Sequence, residues 1–397
     1  MREKFYTPLH NIEISPIVRI AEQARKIESE FESRTGEKFI HLERGEIDQS
    51  TPQQLIDEIK HYLEKGKTKY PKSGGEPEFK KILAEKLREK NGLHDITGDE
   101  IVVGYGGQEA LCLAFQLFTN ETGAGFSPIW SVAVENFVPY SNEKFLEVPF
   151  NRDFTINWTI LEDTVKKVSF FYLNNPHNPT GKVFTQDELA RIVELCKKYN
   201  VFIISDEAYE DIIFDGKKHI STASLSEAQD YPDIISAFTF SKSFSATGLR
   251  VGYAVTKNKV AIKLMTSVQY THTAGVPTFL QFGLLNSFKI DLSKMVKEFE
   301  RRRDVLYTGL SQIEGIYIVK PEGTFFAYPD FSGVLNKLNQ TVKKEIFDVL
   351  LENGICTVPG WAFTKNRYFL NNVRLSFSAA NVQLLDMAVN RLKKLFA

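Results

Sequence analysis

Between residues 168 and 255, short apolar runs alternate with amphipathic or polar stretches, and this alternation restricts the possible folds more than any other feature of the sequence. "VSFFYLNN" (Val168 to Asn175), "VFIIS" (Val201 to Ser205), "DIISAFTF" (Asp233 to Phe240) and "VGYAV" (Val251 to Val255) read as buried strands. The first two are joined through Thr185-Gln186-Asp187-Glu188, a capping box whose hydroxyl and carboxylate satisfy the free amides of a helix start. Leu189, Ile192, Val193, Cys196 and Tyr199 then recur at helical spacing, and Asn200 closes the helix. Strand, helix, strand makes a right-handed crossover unit, so the expected class is α/β with a mostly parallel central sheet and crossover helices.

The chain is 397 residues long, too long for one small core, and two domains are expected. Beyond Asp291 the texture changes. A charged helical stretch, "KMVKEFERRRDVLYTGL", is followed by "IYIV", "GTFFAYPD", a helix over Lys343 to Asn353, "ICTVPG", "VRLSFSA" and a terminal helix, the pattern of a smaller α+β unit. The division expected is a large domain over 46–290 and a small one built from 1–45 and 291–397, sharing a continuous helix and a tight interface. Lys and Arg number 49 against 50 Asp and Glu, so no long-range field argues for nucleic acid or an anionic membrane. Cys112, Cys196 and Cys356 lie far apart without metal or redox spacing, the N-terminus has no apolar targeting core, and no run is long enough to span a membrane. These features point to a cytoplasmic protein.

In sheets of this kind ligands bind beyond the carboxyl ends of the strands. Asn174, Asn175 and Asn178 follow the first run, Asp206 and Tyr209 the second, and Thr239, Ser241 and Lys242 close the third. A lysine in a crowded, partly dry site loses its proton more easily and becomes a nucleophile toward an aldehyde. Thr239, Ser241 and Arg250 around Lys242 are the equipment for a phosphate ester. A second phosphate element appears where "IVVG" leads through Gly106-Gly107-Gln108 into an apolar helix, whose free amides suit an anion. A dinucleotide fingerprint fails there, because Glu109 occupies the third glycine position. Asp206 could hold a proton on a pyridine nitrogen. The alternative for "DEAYED", a divalent-metal cluster of Asp206, Glu207, Glu210 and Asp211, lacks a histidine in the segment, and no metal site is expected.

Together these residues resemble the class I/II aminotransferases, fold type I enzymes that use pyridoxal 5'-phosphate (PLP), especially the aspartate and aromatic branch. The resemblance rests on "GKTKYPKSGGEPEFKKILAEKL", "GGQEAL", "NNPHNPTG", "SDEAYED", "SKSFSATGLRVGY", "VPG" and "VRLSFS", in that order. It implies that Lys242 forms the internal aldimine and shuttles the proton, with Asp206 on the pyridinium nitrogen and Tyr209 and Asn178 on the phenolic oxygen. Trp130 would stack on the ring. Gly107, Gln108, Thr239, Ser241 and Arg250 would hold the phosphate, with Tyr70 reaching it from a neighbouring subunit. Arg374 would clamp the substrate carboxylate, assisted by Asn178 and the Gly45 backbone. The activity implied is transfer of an α-amino group from an L-amino acid to a 2-oxo acid such as 2-oxoglutarate, in a homodimer. A β-eliminating carbon-sulfur lyase, an ACC synthase-like enzyme or a racemase shares the fold, and a PLP-binding regulator or pseudoenzyme is the alternative of another class. Three departures concern substrate access: "TNETGAGFSPIW" lacks the usual acidic turn and aliphatic strand before the stacking aromatic, "GEID" replaces GEPDF, and Trp361 follows "VPG". The side-chain preference is left open, including any role of Arg44.

Overall fold

The computed structural model of the chain describes residue 12 and residues 14–141, 144–338, 344–364 and 367–396. Most of the N-terminal stretch before Ser15, and Lys343, lie outside the described residues. After a helix at Pro16–Thr35 comes a two-residue strand, β1 (Ile40–His41). The central sheet is then built from β2 (Ile101–Gly104), β3 (Thr122–Ser127), β4 (Lys144–Pro149), β5 (Phe170–Asn174), β6 (Phe202–Asp206), β7 (Ile234–Thr239) and β8 (Gly252–Val255). Their order is β2-β8-β7-β6-β5-β3-β4, and every pairing is parallel except those of β8 with β2 and β7.

The apolar runs are continuous because both faces of the sheet are covered. Phe171, Leu173, Ile203 and Ile234 join the core under the helix Gln186–Tyr199. Phe170, Tyr172, Ile204 and Ile235 join the opposite core, under the helix Gly106–Gln116. The predicted capping box is present: Thr185 Oγ1 accepts from the Glu188 amide and Glu188 from the Thr185 amide, while Asn200 ends the helix in a left-handed conformation.

β3 explains the first of the three departures. A strand reading TGAGFS has almost no bulk of its own, but a Cβ on Gly123 would stand 2.1 Å from the Phe170 ring, and one on Gly125 would stand 3.1 Å from Phe145. The flanking strands β5 and β4 carry the aromatic volume, and the glycines make room for it.

The C-terminal part holds β9 (Phe326–Ala327), β10 (Ile355–Cys356), β11 (Val358–Pro359) and β12 (Val373–Ser376). An antiparallel sheet β11-β12-β9 forms one unit, and β10 pairs in parallel with β1, drawing the N-terminal segment onto the C-terminal part. "IYIV" makes only an isolated bridge, Tyr317 to Asp330. The expected continuous helix is broken: a helix at Thr278–Gly283 and a turn at Ser287–Lys289 precede a new helix at Ser293–Ser311. Asp291 accepts the Ser293 amide at 2.8 Å, a local bond that caps a fresh start.

The reversed strand β8 places its first residue, rather than its last, at the rim where β2 and β7 end. Gly252 stands opposite both Gly104 and Thr239, and Asn174 stands opposite Asp206. Residues just before β8 therefore share one rim with residues just after β5, β6 and β7.

Candidate active site

One cleft opens at that rim, lined by Gly107, Gln108, Trp130, Asn178, Asp206, Tyr209, Thr239, Ser241, Lys242 and Arg250, ten positions the sequence nominated. Leu111, Ala208 and Thr247 complete it. Lys242 lies in a single helical turn, Phe240–Ser243, that starts directly after β7 with Thr239 Oγ1 accepting the Ser241 amide. Its Nζ donates to the Gly45 carbonyl at 2.9 Å. Burial, followed by the charges of Arg374 and Arg250, pushes its pKa down to about 8, so a sizeable neutral fraction exists near neutral pH.

Asp206 is only 4% exposed at the end of β6. The Tyr172 hydroxyl donates to its Oδ2 at 2.7 Å and the Ala208 amide to its Oδ1 at 3.1 Å. Burial nevertheless pushes its pKa up to about 6, the behaviour of a carboxylate that lacks a cation. A protonated ring nitrogen is such a cation. Tyr209 is also buried, which raises its phenol pKa, and its ring meets Phe325 and Phe326 edge-on.

The other end of the cleft is built for an anion. Gly106 has φ +74, and a Cβ there would stand 2.8 Å from Arg250 Nη2. A Cβ on Gly252 would stand 2.4 to 2.5 Å from the Gly106 carbonyl carbon and the Gly107 nitrogen. These two glycines let the helix N-terminus at Gly106 settle onto the start of β8 beside Arg250. Arg250 itself sits at φ +53, with its guanidinium donating to the carbonyls of Thr247 at 2.9 Å and Tyr105 at 3.4 Å. Among the described residues no carboxylate pairs with it. Helix amides, two hydroxyls and an unpaired guanidinium fit a phosphate, a lysine amine fits an aldehyde, and a cation-seeking Asp206 fits a pyridine nitrogen, so the residues present fit PLP.

Arg374, on β12, is 2% exposed. Its Nη2 donates to the Glu43 carbonyl at 2.9 Å and its Nη1 to Asn178 Oδ1 at 3.3 Å, while its Nε has no hydrogen-bond partner. Its guanidinium lies 4.1 Å from the centroid of Phe326 and 5.2 Å from that of Phe363. Among the described residues no carboxylate forms an ion pair with it, and burial pushes its pKa down to about 10.

The acidic run after Asp206 divides rather than clusters. Glu207 binds His219 and Ser221, Glu210 binds Lys86 and Asn91, and Asp211 binds Ser243. Tyr70 is 90% exposed and away from the cleft of its own chain. The sequence reading passed over Tyr172, the donor to Asp206; a lone hydroxyl inside an apolar strand, two residues before the rim, was its signal. Phe325, Phe326 and Phe363 had none, since 31 phenylalanines make aromatic core the ordinary reading.

A family profile described as "Aminotransferase class I and II" matches residues 37–392. The probable aspartate/prephenate aminotransferase of Aquifex aeolicus is 34% identical, over 99% of this chain and 99% of its own. The aspartate aminotransferase of Bacillus subtilis is 32% identical, over 90% and 91%. Among solved structures, the aspartate aminotransferase from Thermus thermophilus with maleate superposes with a TM-score of 0.86 at 28% identity, over 99% of this chain and 100% of that one. That of Thermotoga maritima gives 0.85 at 28%, over 98% and 99%. The cleft and these likenesses agree: the chain belongs to the class I and II aminotransferases, enzymes that depend on PLP.

Proposed function

We propose that the protein transfers the α-amino group of an L-amino acid to a 2-oxo acid such as 2-oxoglutarate, with Lys242 as the residue that holds PLP covalently. The observation that carries this reading is the buried guanidinium of Arg374, without a carboxylate partner among the described residues, which bonds Asn178 of the cleft at 3.3 Å and whose charge helps depress the pKa of the Lys242 amine. A buried cation without a counter-ion is costly, and a substrate carboxylate removes that cost bidentately. Bound PLP supplies an aldehyde that condenses with amines and a ring that accepts the electron pair released at the substrate Cα.

In this reading the chain's residues divide the work. Arg374 and Asn178 bind and orient the α-carboxylate. Asp206 keeps the proton on the ring nitrogen, and Tyr172 keeps Asp206 ionised. Asn178 and Tyr209 would hydrogen-bond the phenolic oxygen. Gly107, Gln108, Thr239, Ser241 and Arg250 would hold the phosphate, and Trp130 would stack on the ring. Lys242, once released by the substrate amine, would carry the Cα proton across the nitrogen to the cofactor's aldehyde carbon. The amino acid leaves as its 2-oxo acid, and a second oxo acid collects the nitrogen by the reverse path.

A homodimer belongs to the same reading, with the exposed Tyr70 reaching the partner's phosphate site. So do the division into 46–290 against 1–45 with 291–397, supported by the β1–β10 pair, and a cytoplasmic location, supported by the scattered spacing of Cys112, Cys196 and Cys356 in the sequence. Aspartate is the first donor to try, since several relatives are named for it. The test is the visible spectrum of the holoenzyme after addition of single L-amino acids without any acceptor. Conversion of the aldehyde band to the amine form by one amino acid, in a single turnover, supports transfer. Continued oxo-acid release without an acceptor sinks it in favour of elimination.

A further inference from the structure

The strip of backbone after β1 supplies the carbonyls on which Arg374 and Lys242 rest. Glu43 O accepts from Arg374 Nη2 and Gly45 O from Lys242 Nζ, both at 2.9 Å. Ser378 Oγ lies 3.2 Å and 2.6 Å from the carbonyls of Arg44 and Glu46 between and beyond them. The position of this strip therefore sets where Arg374 points.

The anchor of the strip is a carboxylate. Glu43 is fully buried at 0% exposure, a rare placement for an acidic side chain. Its Oε1 meets His41 Nδ1 at 2.9 Å and Arg44 Nε at 3.3 Å. His41 Nε2 in turn lies 3.3 Å from Glu28 Oε2 on the helix Pro16–Thr35. The remaining titratable or charged groups facing the pair are Arg44 on the same segment, Cys356 on β10 and Arg374 on β12. The strip is thus pinned from below by an acid and a histidine and loaded from above by the substrate-binding arginine.

We propose that His41 and Glu43 form a positioning pair for Arg374, in which the proton on His41 decides how much of the arginine's charge is left for a substrate carboxylate. With His41 protonated, the buried Glu43 charge is matched locally, and the field of Arg374 is directed into the cleft. With His41 neutral, Glu43 draws on Arg374 instead, and the carboxylate of the amino acid binds less well. Consistent with this, hydrogen bonding to Glu43 holds the His41 pKa above its ordinary value. Burial is the largest single influence on Glu43 and opposes its ionisation, but the His41 bond and charge, together with hydrogen bonds from the backbone and Cys356, hold its pKa below the ordinary value. The inference rests on the reading of Arg374 as the carboxylate receiver.

The experiment compares the amino-acid KM and kcat of the holoenzyme with those of His41→Gln and Glu43→Gln across pH 5.5 to 9, with Arg374→Lys as a control. Lys242 and the substrate amine titrate in all of these proteins, so the comparison is made between proteins at each pH. The native KM is expected to rise about three- to tenfold, the scale of one partly buried charge interaction, as pH climbs through the raised His41 pKa. His41→Gln is expected to stay at the high-pH value throughout and Glu43→Gln at the low-pH value, with the effect in KM rather than kcat. A KM step that persists in His41→Gln overturns the proposal, and that partly accessible site, with 15% of its side chain exposed, decides the matter even if Glu43→Gln fails to fold. If Arg374→Lys leaves KM unchanged, the reading of Arg374 fails as well; if it raises KM while the step survives in His41→Gln, only the pairing fails.

Discussion

The two ends of the cleft are built on opposite terms. The floor, with Lys242, Asp206, Thr239 and Arg250, comes from successive elements of one sheet, and the hydrogen-bonded register of β5 to β8 puts its side chains at one rim. The substrate side comes from distant parts of the chain: Arg374 meets the Glu43 carbonyl 331 residues away and the Asn178 side-chain oxygen 196 residues away. The floor's charged side chains are held by hydrogen bonds within the chain, Asp206 by Tyr172 and Ala208, Arg250 by the carbonyls of Thr247 and Tyr105. The substrate side holds a buried guanidinium with an idle Nε–H and no counter-ion among the described residues. A floor that offers complementary charge at both ends suits a resident cofactor with a phosphate and a ring nitrogen, and a buried guanidinium with an idle N–H suits a carboxylate that arrives and leaves.

Breaking the floor has the largest expected effect. Lys242→Ala removes both the anchor and the proton carrier, and turnover is expected to fall by at least about 10³-fold in a steady-state assay, within the range for lost acid-base catalysis. The comparison is sharpened by pairing one substitution from each side. Arg374→Lys is expected to raise the amino-acid KM by roughly 10- to 100-fold, the worth of a bidentate hydrogen bond to a charged group, while PLP affinity in equilibrium dialysis stays within about twofold. Asp206→Asn is expected to do the reverse, weakening PLP binding and kcat with little change in substrate KM. Equal losses of PLP and substrate binding in both variants would break the division.

Smaller effects probe the floor alone. Because the Lys242 pKa lies at about 8, the rate at which apoenzyme captures PLP is expected to rise as pH climbs to that value and level off above it, as followed by absorbance in stopped flow. A rate that still climbs steeply at pH 10 would mean an ordinary, solvated lysine. Tyr172→Phe removes a donor that holds the Asp206 pKa down, so PLP affinity at neutral pH is expected to drop about five- to tenfold with kcat less affected.

The same contrast decided what the sequence revealed. β5, β6, β7 and β8 were legible to within two residues because strands covered on both faces must be continuously apolar, and their rim residues followed from where the runs stop. The helix Gln186–Tyr199 announced both its ends by Thr185, Glu188 and Asn200. β3 was obscure as a strand because its bulk belongs to Phe170 and Phe145 on other strands. On the substrate side the β-strands are two to four residues long, too short for a period to show, and Arg374 was located through the resemblance of "VRLSFS" rather than through any pattern. Glu43 reads as one more charged residue in "HLERGE", and only the pairing of β1 with β10 reveals that it is buried.

The central claim, that the amine of Lys242 is the covalent seat of PLP, is tested most directly by reducing the holoenzyme with borohydride and mapping the label by peptide mass spectrometry. The account predicts one phosphopyridoxyl group per chain, on the peptide that contains Lys242. Stoichiometric label on another lysine, or none on Lys242 in a protein that retains its visible band, would contradict it.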